Sequence, residues 1–397
     1  MKMLVLGTGM QGKAVLHDLQ GSADVRRVVA ADLYPSAAED YVRRHRLDKV
    51  TVVALNAEDE DALHRLMERE RPNALLCMLA PQYGLQVARC AVAHGVHYVS
   101  SSYTGDLMQL HEAAQKAGVA VLPEMGMDPG IDLILCRLAV DTLDEVHGLH
   151  SYGAGVPEPA CADDNPLRYK ISWTFDGVLK AYKRPARFLK DGQEVFVPEG
   201  QIFRPEHGHA LAVQGLGVLE AYPNGDAVAY IEKFRLGSKV RDMGRFALRW
   251  PGHNTLWDAW VRLGFLDDTP VDIDGCAVSP RRFMVHHLTP RLLYDDTQRD
   301  VAVLLARARG LKDAKPCRVS YWLVDYRDLK TGLFAMNRTV GFTTSIGAQL
   351  LVKGIIAGRG VLSPTQDVPP EAMVKELEKR GMHVHCSVED SWEEFRV

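Results

Sequence analysis

Residues 3–32 constrain this chain more than any other stretch. Met3 to Leu6 form a short apolar strand, and Gly7, Gly9 and Gly12 follow it in the spacing G-x-G-x-x-G. Lys13 to Leu19 then reads as a helix with Ala14, Val15 and Leu19 on one face. Gly7 permits a tight turn, Gly9 lets the backbone approach a pyrophosphate, and Gly12 lets helix and strand pack closely. The turn Met10-Gln11-Gly12 opens the helix, so its unpaired N–H groups and positive dipole end face the phosphates. A second strand, Val28 to Ala31, ends in Asp32, twenty residues past Gly12. A carboxylate there accepts hydrogen bonds from an adenosine ribose and repels a 2′-phosphate, which favours NAD over NADP.

Strands and helices alternate from Met1 to about Glu124. Further strands are expected at Thr51–Val53, Ala74–Met78, His97–Val99 and Ala120–Leu122, with helices near 36–44, 59–69, 85–94 and 107–117. Short apolar strands separated by helices imply a parallel sheet covered on both faces. The first domain (1–124) is therefore a Rossmann-type, doubly wound α/β sheet that binds ligands beyond the C-terminal ends of its strands. Those ends carry Leu79-Ala-Pro-Gln-Tyr83, Ser100-Ser-Ser-Tyr-Thr-Gly105 and Pro123-Glu-Met-Gly-Met-Asp-Pro-Gly130. Asp128 can cap the helix Ile131–Leu138 or face the reacting groups, and the two roles are compatible.

From about Val146 the loops lengthen and polar–apolar alternation appears at 227–234, 245–250, 318–326 and 333–342. This predicts an α+β substrate domain (125–340) with a mainly antiparallel sheet that also serves as a homodimer surface. The apolar helix Thr343–Ala357 is expected to return to the first domain within a C-terminal segment, 341–397. Net charge is −4, which gives no electrostatic case for nucleic acid or an anionic membrane as partner. No apolar run reaches membrane-spanning length, and strand one begins without a signal peptide. Seven scattered cysteines without C-x-x-C pairs fit free thiols, and a cytoplasmic location is expected. His383, His385 and Cys386 are close in sequence, but His-Val-His reads as a strand with one exposed face, so no metal is expected. The absence of Walker, H-E-x-x-H and G-x-S-x-G motifs argues against phosphoryl transfer, zinc proteolysis and serine hydrolysis.

Several stretches resemble the saccharopine dehydrogenase family, chiefly its glutamate-forming members. They are Ser102-Tyr103, Gly126-Met-Asp-Pro-Gly-Ile-Asp132, Ser151-Tyr152, Asp164-Asn-Pro-Leu-Arg-Tyr-Lys-Ile-Ser-Trp173, Tyr222-Pro-Asn224 and Arg359-Gly-Val-Leu-Ser-Pro364. The layout and the tail are equally similar to lysine 6-dehydrogenases. The resemblance implies an active site in a cleft between a nucleotide-binding domain and a sheet domain. It also implies an NAD-dependent oxidoreductase that oxidises the CH–NH group of a small amino-acid substrate, after which the imine is hydrolysed. By match, Met127, Asp128, Pro129 and Ser172 lie by the cofactor. Ser102, Tyr103, Asn224, Leu248 and Arg249 lie by the substrate, with Arg249 facing a carboxylate. Asp128 and Tyr103 are the candidates for proton handling.

Two departures bear on the substrate. Gly225 stands where the family has a carboxylate-binding arginine, and Tyr152-Gly-Ala-Gly155 lacks the cysteine of Tyr-Cys-Gly-Gly. The expected reaction is saccharopine oxidation, with Lys180, Lys183 or Arg184 standing in for the arginine. The alternatives are oxidative deamination of lysine, which carries fewer carboxylates, and a non-catalytic NAD-binding sensor that keeps only the scaffold.

Overall fold

The computed structural model describes residues 1–390. They form two compact units, 1–134 with 337–384, and 135–336 with 385–390.

The first unit is built on a seven-stranded sheet in which every neighbouring pair is parallel. Its chain-order strands are β1 (Lys2–Leu6), β2 (Arg27–Asp32), β3 (Val50–Ala54), β4 (Ala74–Cys77), β5 (His97–Ser100) and β6 (Ala120–Leu122). The spatial order is β6-β5-β4-β1-β2-β3, with Gly360–Val361 added beside β6. The order reverses between β1 and β4, which is where such sheets hold ligands. The helices include α1 (Met10–Gly21), α2 (Ser36–His45), α3 (Glu60–Glu70) and α4 (Gly84–Ala93). Gly7 has φ +87°, and a Cβ there would lie 2.9 Å from the Met78 carbonyl carbon. A Cβ on Gly12 would fall 2.1 Å from the Gly7 oxygen, so the first and third glycines of the motif are imposed by backbone packing.

The helix Ala335–Val352 packs against this unit from Asn337 onward. Gly341 lets it approach α1 until a Cβ would sit 2.7 Å from that of Ala14. Thr344 Oγ1 donates to the Met125 carbonyl at 2.7 Å, and Ser345 Oγ donates to buried Asp18 at 2.6 Å. Arg380 pairs with the same carboxylate, so Asp18 fastens two distant segments.

The second unit holds a nine-stranded sheet. Its earlier strands are β7 (Glu145–Pro157), β8 (Ala186–Lys190), β9 (Gln193–Val197), β10 (His209–Val213), β11 (Gly217–Pro223) and β12 (Asp242–Arg249). The order is β10-β11-β12-β7, then Asp300–Lys312, Lys315–Tyr326 and Val384–Glu389, with β8 and β9 branching from β12. Its pairing is mainly antiparallel, with β12–β7 parallel. Alternate residues such as Tyr152, Ala154 and Val156, and Phe246, Leu248 and Trp250, build one core face.

Two expected strands are helical. Residues 227–234 contain the helix Ala229–Lys233, whose Ala229 N–H is taken by Asp226 Oδ1 at 3.2 Å. Residues 333–342 begin the long helix instead. The two oxygens of Asp300 accept the N–H groups of Ala335 (2.7 Å) and Met336 (3.0 Å), a capping contact from another strand that local periodicity cannot reveal. Within the expected C-terminal segment, residues 385–390 belong to the second unit and 391–397 lie outside the described residues. His385 stacks on Trp322 in the strand Val384–Glu389. Among the described residues no helix is long and apolar enough to cross a membrane.

Candidate functional site

In the first unit the predicted nucleotide residues converge at the strand C-termini. α1 starts at Gly9 with no side-chain cap and no acidic residue in its first turn, so the N–H groups of Met10, Gln11 and Gly12 are left for an anion. A Cβ on Gly9 would meet nothing within 4 Å, in contrast to Gly12, so space is open beside that backbone. The buried Gln11 Nε2 has no partner among the described residues. Asp32 Oδ2 accepts from Thr8 N (2.6 Å) and Thr8 Oγ1 (2.9 Å), while Oδ1 accepts from Tyr34 N (3.0 Å). Burial would raise its pKa, but these hydrogen bonds outweigh burial and hold it below the usual carboxylate range. The carboxylate is thus charged and oriented, and Oδ1 keeps a lone pair for a ribose hydroxyl. Thr8 carried no warning in the sequence.

At the ends of β5 and β6 the two expected loops are stitched together. Glu124 N donates to the Ser102 carbonyl and Met125 N to that of Ser100, both at 2.9 Å. Thr104 Oγ1 donates to Glu124 at 2.8 Å, and Gly130 N donates to Asp132 Oδ1 at 2.8 Å. These bonds place Ser102 and half-exposed Tyr103 on one loop beside the Met127-Asp128-Pro129 loop. Met127 and Pro129 are buried, whereas Asp128 is partly exposed.

In the second unit, Arg249 ends β12 inside an aromatic box. Its guanidinium carbon lies 5.9 Å from the Tyr169 ring centre and 5.8 Å from that of Tyr222. Burial would weaken its hold on the proton, but the surrounding Tyr222, Tyr182 and Tyr169 reverse that and keep it charged. Its Nη1 donates to the Leu248 carbonyl at 2.8 Å, and among the described residues Nε has no partner and no carboxylate pairs with it. His253 stacks on Tyr222 with ring centres 6.1 Å apart. Burial and the facing Arg249 charge push its pKa well down, so it is neutral. A charged guanidinium enclosed by rings and lacking an internal counter-ion is arranged for an anionic ligand.

Other predicted residues fall differently. Leu248 points its side chain wholly into the core, so only its backbone is available. Asn224 N donates to Arg245, and the β11–β12 register sets Arg249 opposite Glu220. Asn224 therefore sits four residues, about 13 Å of strand, from Arg249. Gly225 has φ +70°, a conformation that disfavours arginine. Of the expected substitutes, Lys180 is held by Asp176 (2.9 Å) and Lys183 by Asp267 (2.8 Å). Ser172 is buried in the second unit. Tyr182 and His253 escaped the sequence reading because no local motif marks them.

The first unit has the parallel sheet, glycine turn and charged strand-end aspartate of a dinucleotide-binding fold, and the second presents a part-buried arginine enclosed by aromatic rings. Comparison makes the family specific. Residues 3–122 match the saccharopine dehydrogenase NADP binding domain, and residues 126–382 match the saccharopine dehydrogenase C-terminal domain. The chain belongs to the saccharopine dehydrogenase family. It is 30% identical to the mitochondrial alpha-aminoadipic semialdehyde synthase of Rattus norvegicus, over 91% of this chain and 45% of that protein. The chain thus spans about half the length of such relatives. Against the NADP(+)-dependent, L-glutamate-forming saccharopine dehydrogenase of Schizosaccharomyces pombe it is 24% identical, covering 98% of this chain and 99% of that one. The fold matches that of apo saccharopine dehydrogenase (L-Glu forming) from Saccharomyces cerevisiae, with TM-score 0.85, 23% identity and coverage of 98% and 99%.

Proposed function

We propose that this chain is an NAD-dependent amine dehydrogenase that oxidises the CH–NH bond of saccharopine or a close amino-acid analogue. The observation that carries the reading is Arg249, a part-buried guanidinium with a buried Nε and no counter-ion among the described residues. It is suited to the carboxylate that an amino-acid substrate brings. The names of the relatives point to saccharopine as the substrate, and they use NADP(+). The preference for NAD rests on Asp32, whose charge opposes a 2′-phosphate.

Bound nicotinamide supplies the hydride acceptor, and the rest falls to the protein. Gly7, Gly9, Gly12 and the first turn of α1 hold the pyrophosphate, and Asp32 holds the ribose. Hydride departs from carbon only when the attached nitrogen is neutral, yet an amine near the lysine pKa is almost wholly protonated at neutral pH. A base must take that proton, and a water must then add to the imine carbon. Asp128 and Tyr103, on adjoining strand-end loops, are assigned to proton handling. Arg249 fixes the substrate carboxylate.

Gly225 supports a second reading. Its left-handed, open backbone offers no cation where a further carboxylate would bind, which suits lysine, with one carboxylate, better than saccharopine, with three. Steady-state turnover of saccharopine and lysine, each with NAD and NADP, separates the readings. Turnover of lysine alone would favour the second, and a higher kcat/KM with NADP than with NAD would overturn the cofactor assignment.

A further inference from the structure

The first unit carries a cluster of metal-binding side chains that the dehydrogenase chemistry does not use. His64 lies on α3, Cys90 on the last turn of α4, and His94 caps α4. One ligand atom from each lies within 4.8 Å of the other two. His64 Nδ1 and His94 Nε2 face each other at 2.8 Å, with ring centres 5.0 Å apart. We propose that His64, Cys90 and His94 form a zinc site that clamps α3 to α4.

The geometry is close to what zinc requires. Tetrahedral zinc with bonds of about 2.0–2.1 Å to nitrogen and 2.3 Å to sulfur separates two nitrogens by about 3.3 Å and nitrogen from sulfur by about 3.6 Å. Replacing the proton shared by the two imidazoles with Zn²⁺ opens their contact by about half an ångström and draws Cys Sγ inward by about 1.2 Å at most. Side-chain rotation is enough for both. The scaffold is rigid, since Leu63, Leu66 and Met67 of α3 share one core with Val87, Ala88 and Ala91 of α4. The backbone N–H of His94 donates to the Cys90 carbonyl at 3.2 Å, which fixes the two ligands on successive turns. His64 and His94 are partly exposed, so a metal can enter, and Glu60, one turn before His64, brings a carboxylate charge close to Cys90. The fourth position falls to water.

α4 runs back from the strand C-termini, so its last turn lies at the opposite end of the sheet from the glycine turn. The site is therefore a structural staple, separate from dinucleotide binding. Binding requires loss of the thiol proton, so affinity rises with pH.

The test is cobalt(II) titration of the full, metal-stripped chain without nucleotide, read by visible absorption. The expected result is one equivalent bound with intense tetrahedral d–d bands and a sulfur-to-cobalt charge-transfer band. Cys90→Ser should abolish the charge-transfer band, and His94→Gln should weaken cobalt and zinc binding at least tenfold. Cys386→Ser, in the exposed terminal strand, should change nothing. Zinc should raise the melting temperature of the wild type and not of His94→Gln. Retention of the charge-transfer band in Cys90→Ser, its loss in Cys386→Ser, or a purely octahedral spectrum would overturn the proposal. If Cys90→Ser does not fold, His94→Gln decides alone: unchanged affinity refutes the site.

Discussion

Replacing Arg249 by methionine separates a ligand-binding role from a structural one. Arg249 has no partner carboxylate among the described residues; its Nη1 donates to the adjoining Leu248 carbonyl, and the Tyr182 hydroxyl is a further polar neighbour. Removing it leaves no buried counter-charge behind, which is the usual source of the 3–5 kcal/mol cost of breaking a buried ion pair. The loss is the bond to the Leu248 carbonyl and the Tyr182 contact, about 1 kcal/mol each, offset by relief of a desolvated charge, so unfolding free energy should change by no more than about 2 kcal/mol. Substrate behaves oppositely. A carboxylate delivered to this site loses a charge-assisted partner worth about 2–5 kcal/mol, which is roughly 30- to several-thousand-fold in kcat/KM. NAD affinity should stay within about twofold of wild type, because the glycine turn and Asp32 lie in the other unit. The assays are urea unfolding, steady-state kinetics and nucleotide titration on the same preparation. An Arg249→Met protein destabilised by several kcal/mol with an unchanged kcat/KM would show that Arg249 serves the fold and refute the reasoning.

Other outcomes follow from the same geometry. Asp32→Ala should weaken NAD binding at least tenfold while leaving NADP unchanged or tighter, measured by calorimetric titration; unchanged NAD affinity would remove the ribose assignment. Gly9→Ala should fold normally and bind NAD poorly, whereas Gly12→Ala should cost about 1–3 kcal/mol of stability, because its Cβ meets the Gly7 oxygen. His150 is fully buried beside Tyr152, and burial pushes its pKa down to about 3. A depressed folded pKa means this stabilisation is complete above the unfolded value near 6.5 and is lost as pH falls toward 3. At pH 5 the loss from His150 is about 2 kcal/mol relative to pH 8. Buried Asp300, raised to about 6, works in the opposite sense, favouring the fold as pH falls through that value. The His150 contribution should therefore be read as the pH dependence of the difference between wild type and His150→Phe in denaturant unfolding. A difference flat between pH 8 and 5 would contradict it.

The first unit was legible because its constraints are local. The glycine spacing, the strand before it and Asp32 are adjacent in sequence, and the clashes at Gly7 and Gly12 explain why only that spacing fits. The second unit was legible in class and less so in detail. Alternation at 333–342 looked like a strand because the Asp300 cap that starts the helix comes from thirty-five residues upstream. Residues 227–234 gave the same false period because the helix they hold, Ala229–Lys233, is only five residues long, too short for helical periodicity to show. Arg249 was identified through family resemblance, but its box of Tyr169, Tyr182, Tyr222 and His253 draws on segments more than eighty residues apart, which no periodicity links. The proximity of His64 to Cys90 and His94 was hidden from the sequence for the same reason, since the residues lie on different helices.

The central claim is amine oxidation coupled to nucleotide reduction. Its most direct test is formation of reduced nicotinamide, followed by absorbance, with NAD or NADP against saccharopine, lysine, ornithine and carboxynorspermidine. The account predicts turnover with NAD and saccharopine or a close amino-acid analogue. Tight NAD binding with no turnover of any amine would contradict it and leave a nucleotide-binding sensor built on a dehydrogenase scaffold.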